Sequence, residues 1–108
     1  MISKKNIFSD IPAELQNELL EEMLKGSTFR VERIVSRGQA SEEGFWYDQD
    51  ESEWVILLQG SAGLCFEGKE ELVVLHPGDY IRIPQHYKHR VEWTDTDQET
   101  VWLAVYYK

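Results

Sequence analysis

Two short stretches of this chain are apolar on both faces of any strand they could form. In one, Val55 and Leu57 oppose Trp54, Ile56 and Leu58; in the other, Val101, Leu103 and Val105 oppose Trp102, Ala104 and Tyr106. Successive side chains of a strand point to opposite sides, so a strand with one wet face alternates in polarity. These two do not alternate and must be covered on both sides. A second sheet within the domain covers one side. The other needs the N-terminal segment or a second copy of the chain, and a homodimer is the expected arrangement.

The remaining segments fit the same picture. Beyond Gly26, runs of Val, Ile, Leu and aromatic residues recur every 8 to 12 residues or so, separated by turn residues, which is the rhythm of an all-β domain. Strands are expected at Phe29 to Ser36, Phe45 to Tyr47, Glu53 to Gln59, Ala62 to Phe66, Leu72 to Leu75, Tyr80 to Ile83, His89 to Trp93 and Val101 to Tyr107. Before Gly26, Ile11, Leu15, Leu19, Leu20, Met23 and Leu24 recur at helical spacing. Asp10 as N-cap and Pro12 in the first turn complete the expectation of one N-terminal α-helix, with Glu14, Asn17, Glu18, Glu21 and Glu22 on its solvated face. The chain of 108 residues is the size of one domain, divided into a helical segment over 1–28 and a barrel over 29–108.

Charge narrows the partners. Twenty acidic residues against eleven Lys and Arg give a net charge of -9, which repels nucleic-acid phosphates and anionic membrane surfaces. No nucleic-acid or membrane partner is expected. The N-terminus lacks a continuous apolar stretch, so a soluble cytoplasmic protein follows. Cys65 is the only cysteine and cannot form an intrachain disulfide; flanked by Leu64 and Phe66, it reads as a small buried strand residue.

The segment HPGDYIRIPQHYKHRVEW places Gly78, Pro84 and His89 in the order and spacing of a known signature. It resembles the second motif of the cupin family, in which Gly, five residues, Pro, one residue, Gly, two residues and His follow one another. His86 stands where that motif has its second glycine, and Trp93 where an Asn often lies. A non-glycine there is compatible with the turn if His86 keeps φ below zero. The first cupin motif ends in a Glu and a Gly with six residues between them, matched by Glu53 and Gly60. Its two histidines are missing, and their places fall on Tyr47 or Trp46 and on Gln49 or Asp48. The resemblance implies a small double-stranded β-helix, or jelly-roll, barrel with its site inside.

In such a barrel His89 falls at the family's metal-binding histidine and Glu53 at its glutamate. Tyr47, Gln49 and Glu53 share strand parity and can face one interior, whereas Asp48 joins them only through a break in the strand. The resemblance therefore implies a divalent metal (Zn, Mn, Fe, Co or Ni) held by His89 and Glu53, completed by Gln49, Asp48, Tyr47 or His86. Tyr47 or His86 would serve as proton donor or acceptor. Arg33 shares parity with Phe29, Val31 and Val35 and is a candidate for holding an anionic ligand. Phe45, Trp46, Tyr47, Tyr80, Tyr87 and Trp93 supply candidates for an apolar wall. Two readings stay open: a metal-dependent enzyme acting on a small oxygenated or anionic metabolite, and a metal-free pocket that binds or senses a small molecule.

Overall fold

The computed structural model describes the whole chain, Met1 to Lys108. Eight strands follow one another: β1 (Leu19–Lys25), β2 (Phe29–Ser36), β3 (Ser52–Gln59), β4 (Ala62–Phe66), β5 (Val73–Leu75), β6 (Tyr80–Ile83), β7 (His89–Thr94) and β8 (Thr100–Tyr107). They form a five-stranded sheet in the order β1-β2-β8-β3-β6 and a three-stranded sheet in the order β5-β4-β7, with every pairing antiparallel. The two strands with two apolar faces are β8, at the centre of the large sheet, and its neighbour β3. Registers Glu53↔Tyr106, Val55↔Ala104 and Leu57↔Trp102 put these residues on one face. Val55, Leu57, Ala104 and Trp102 from that face meet Leu64, Phe66 and Ala62 of β4 in a single buried cluster. Burial of each large side chain there stabilises the fold by about 1.5 to 3 kcal/mol. Cys65, on the other face of β4, is only partly buried.

The expected N-terminal helix is not formed. Residues 1–18 run through turns and bends, and the stretch read as the helix's second half is β1, the edge strand paired with β2. The pairing sets Leu19 against Val35 and Leu20 against Ile34, then shifts register between Glu22 and Leu24. The helical spacing was an alternative reading of a bulged strand, and β2 offers backbone donors and acceptors that a helix would leave open. Leu20, Met23 and Leu24 consequently remain half exposed or more. The expected strand at Phe45 to Tyr47 shrinks to one bridge, Tyr47↔His89. No helix in the structure is long and apolar enough to cross a membrane.

Arg33 does not face the barrel interior. It shares the opposite face with Val31 and Val35, while Ile34 and Trp102 point inward. Only 6% exposed, its guanidinium binds the Glu21 carboxylate and donates to the carbonyls of Ile7 (2.9 Å) and Ser9 (2.6 Å). Arg37 holds the Ala13 carbonyl and Gln39 the Leu15 carbonyl, so residues 7–15 are tied down by side chains. This irregular strap supplies cover on the side where a helix was expected.

Gly60, the glycine of the first motif, turns β3 into β4 at φ +87°, and a Cβ there would lie 2.7 Å from Thr100 Cα and 2.8 Å from Glu99 O. Both atoms are backbone and cannot swing aside. Gly60→Ala is expected to destabilise the fold by about 2 kcal/mol or more, read as a lowered urea midpoint. Arg33→Met should cost about 1 to 3 kcal/mol, since the carbonyls it satisfies lose their donor, and should speed proteolysis within residues 1–18. An unchanged cleavage rate would show that the strap is held by something else.

Candidate functional site

The barrel interior opens into one predominantly apolar pocket at the end where β3 begins and β8 finishes. Glu53 projects into it between its cross-strand neighbours Ile83 and Tyr106. His89 enters from the small sheet, where it pairs with Phe66 on one side and bridges to Tyr47 on the other. Both neighbouring rings stack on the imidazole, Tyr47 with centroids 5.5 Å apart and Phe66 at 5.9 Å. The Tyr47 bridge consists of two backbone bonds, Tyr47 N to His89 O at 2.7 Å and His89 N to Tyr47 O at 3.2 Å. The ring is thereby fixed in place.

Its tautomer is fixed as well. Nδ1 lies 2.9 Å from the Tyr87 carbonyl, which can only accept, so Nδ1 carries the proton and Nε2 offers a lone pair. Nε2 is 3.8 Å from Glu53 Oε1, and the Gln49 amide donates to the same oxygen at 3.4 Å. Burial pushes the His89 imidazole below its usual range and so favours the neutral ring. Burial, helped by the negative charge of Glu32, pushes the Glu53 carboxyl up to about 7. Tyr47 and Tyr106 are both raised as well, chiefly by burial, and keep their phenolic protons. The pocket thus holds a carboxyl that gains and loses its proton near neutrality, facing an imidazole lone pair.

Of the residues singled out from the sequence, Tyr47, Gln49, Glu53 and His89 come together in this pocket. Asp48 and His86 do not. They pair with each other on the surface, His86 Nδ1 donating to Asp48 Oδ1 at 2.8 Å, both side chains largely exposed. His86 takes φ +60°, the left-handed conformation of the glycine it replaces, and not the negative φ expected. The bond to Asp48 and a 2.7 Å backbone bond from His86 N to Gln49 O hold the strained residue there. Of the aromatic candidates only Tyr47 lines the pocket. Tyr80 packs on Trp54 over the outer face, and Trp46 lies under the Arg90 guanidinium.

Three polar or aromatic residues of the pocket were missed from the sequence. Glu18, read as a solvated helix residue, lines the wall and accepts a 3.1 Å bond from Ser36 Oγ. Trp102 and Tyr106 were assigned only to packing. Their parity on β8, set by Ala104 between them, is the signal that could have placed them with Glu53.

The cupin domain family matches residues 33–106, and the chain belongs to that family. No curated protein matches the sequence. Among solved structures, a protein of Ralstonia eutropha JMP134 provisionally named mannose-6-phosphate isomerase shares 43% identity over 99% of each chain, with a TM-score of 0.95. A cupin superfamily protein of Desulfitobacterium hafniense DCB-2 is 16% identical, with a TM-score of 0.72 over 90% of this chain and 83% of that one. An RmlC-like cupin of Methanocaldococcus jannaschii with a double-stranded β-helix fold is also 16% identical, with a TM-score of 0.70 over 99% of this chain and 92% of that one.

Cupins often bind metals, and the implied ligand set can be tested on these side chains. With Tyr47 and Gln49 in place of the two motif histidines, no three His, Cys, Asp or Glu side chains converge as a metal cage. Gln49 donates its amide N–H to Glu53, which leaves its oxygen unengaged, and Asp48 is turned away. Of the expected ligands, His89, Glu53, Gln49 and Tyr47 share the pocket whereas Asp48 and His86 do not, so the His-rich cage of the family motif is missing.

Glu53 should leave a signature in stability. Its folded pKa, raised from about 4.5 to about 7, contributes stability that is complete below the unfolded value and is lost as pH rises through 7. His89, lowered on folding, works in the opposite sense: its contribution is present above the unfolded value and is lost as pH falls through the folded one. Wild type should therefore lose about 3 kcal/mol relative to Glu53→Gln between pH 4 and pH 8, read from urea midpoints. Parallel pH profiles would mean that the carboxyl is not buried as described.

Proposed function

We propose that the barrel interior binds a small polar organic molecule and exchanges a proton with it through Glu53, with His89 as the accepting partner. The observation that carries this reading is the pairing of a carboxyl poised near 7 with a neutral imidazole 3.8 Å away, inside a mostly apolar pocket. A group whose pKa lies near the working pH serves both as donor and as acceptor. Removal of water strengthens its interaction with a bound ligand. Tyr47 lines the same pocket as a second proton carrier, whereas surface-paired His86 is not part of this reading.

The ligand is not expected to be a sugar phosphate, despite the name of the 43% identical relative. The lining contains Glu18 and Glu53 and neither Lys nor Arg, so nothing there compensates a phosphate's charge. Arg33, once a candidate for an anionic ligand, is engaged on the opposite face.

A metal-dependent version is the second reading, favoured by the family and by the retained His89 and Glu53. Elemental analysis of untagged protein after reconstitution with Zn, Mn, Fe, Co or Ni separates the two. Substoichiometric metal is expected. Stoichiometric metal that disappears in both His89→Ala and Glu53→Ala would replace the proton-exchange reading by the metal one. The proton-exchange role itself is checked by carbon-13 NMR titration of the Glu53 carboxyl, expected to have its midpoint near 7. A midpoint below 5 would remove that role.

For the outer face of the large sheet we propose a second copy of the chain as cover. Phe29 and Leu24 are exposed there, as is Tyr80 at 63%, beside the half-buried Val31, Leu103, Val105, Trp54 and Ile56. Sedimentation velocity at micromolar concentration should give a dimer of the 12.7 kDa chain; a monomer alone would dismiss this pairing.

A further inference from the structure

We infer that the pocket is built for a small organic ammonium compound that also carries an oxygen acceptor, Glu18 holding the positive end and Trp102 the oxygen. The inference rests on the reading of the barrel interior as a small-molecule pocket and names the ligand class.

The argument for the positive end begins with charge. Both ionisable acids of the lining, Glu18 and Glu53, are removed from water, and no Lys or Arg shares the pocket. Glu18 and Glu53 line the same pocket, so both act on one occupant, and the charge of Glu18 is felt at Glu53 and at Tyr47. Arg30, which sits 4.1 Å over the Tyr106 ring and is bound to Glu32 and Glu51, offsets part of the charge at Glu53 but does not line the pocket, and nothing cationic faces Glu18 there. An anion would add to the repulsion and a neutral molecule would leave it. An ammonium removes it, and the aromatic rings of Tyr47, Trp102 and Tyr106 in the walls add attraction for a cation.

Glu18 is placed to receive that group. Ser36 Oγ bonds Oε2 and leaves Oε1 without a protein partner. Together with Tyr47 and Val91, Glu18 also lines an adjoining depression that includes Asn17 and Ser41, so it stands where the pocket meets the surface.

The argument for the oxygen is independent of charge. Trp102 is 4% exposed and lines the pocket, yet its Nε1 is buried without any hydrogen-bond partner. A buried N–H without an acceptor is costly, and an indole can only donate. That atom is closed to a water-sized group as the ring stands, so a hydroxyl or carbonyl oxygen on the ligand satisfies it once the wall gives slightly around the indole.

Three four-carbon probes that share one hydroxyl and differ in charge at the other end test the assignment: 4-aminobutan-1-ol, butane-1,4-diol and 4-hydroxybutanoate. Binding to the full-length chain is read from nitrogen-15 NMR shifts of pocket residues and the dissociation constants they give. The amino alcohol should bind about tenfold more tightly than the diol, and the hydroxy acid most weakly. Glu18→Gln keeps the acceptor for Ser36 and should erase most of the tenfold gap, leaving diol affinity within about twofold. Trp102→Phe should weaken the amino alcohol and the diol alike, by about threefold or more. Diol or hydroxy acid binding as tightly as the amino alcohol, or a gap that survives Glu18→Gln, overturns the ammonium assignment while leaving the pocket reading intact. A Trp102→Phe variant of wild-type affinity overturns the oxygen assignment. If none of the three probes shifts a pocket resonance, both this inference and the small-molecule reading fall.

Discussion

The burial of the Glu53 carboxyl in the barrel's single core is the constraint on which the rest depends. A chain this short has no second interior in which to hide a site. The face of β3 and β8 that packs Val55, Leu57, Trp102 and Ala104 into the core continues, two residues further along each strand, into Glu53 and Tyr106. The apolar surroundings that stabilise the sheet are therefore the same ones that raise the carboxyl and keep the imidazole neutral. Any ligand bound there meets side chains whose rotamers are already set by core packing, which lowers the ordering cost of binding.

Much of the barrel was legible because strand parity is a hard rule. The bounds of β2, β4 and β6 coincide with the stretches read from the sequence; Tyr47, Gln49 and Glu53 do line one interior, although residues 48–51 form no strand and parity along a single strand is not what places them there. The N-terminal region was not legible for a definite reason. Leu19, Leu20, Met23 and Leu24 satisfy a helical repeat, and equally a strand once one bulge is allowed; the choice was made by the open edge of β2, which is far away in sequence. Arg33 was misjudged for a related reason. Parity grouped it with Val31 and Val35 correctly, but only the register with β8 tells which face of that group is inside. Glu18 was hidden by both errors, since its place in the pocket depends on the strap that Arg33, Arg37 and Gln39 secure.

The departures from the family motifs also have a physical sense. Exchange of the two histidines for Tyr47 and Gln49 leaves a ring stacked on His89 and an amide bonded to Glu53. His86 in the glycine position keeps the backbone turn that brings His89 into the barrel, and the bond to Asp48 offsets the strain of φ +60°. The motif's geometry is retained while its ligand chemistry is changed.

The strap over residues 7–15 is secured by side chains reaching backbone carbonyls, an attachment that asks almost nothing of the strap's own side chains. Different sequences could lie along the same track without disturbing the barrel beneath. The chain thus separates two problems that compact proteins usually solve together. Glu53 and His89 sit on the sheets, whereas Glu18 reaches the pocket from the short segment that joins the strap to β1. A library confined to the residues around Glu18 would change the rim of the pocket while Glu53 and His89 stay in place, and because the charge of Glu18 acts on Glu53 it would tune that carboxyl as well.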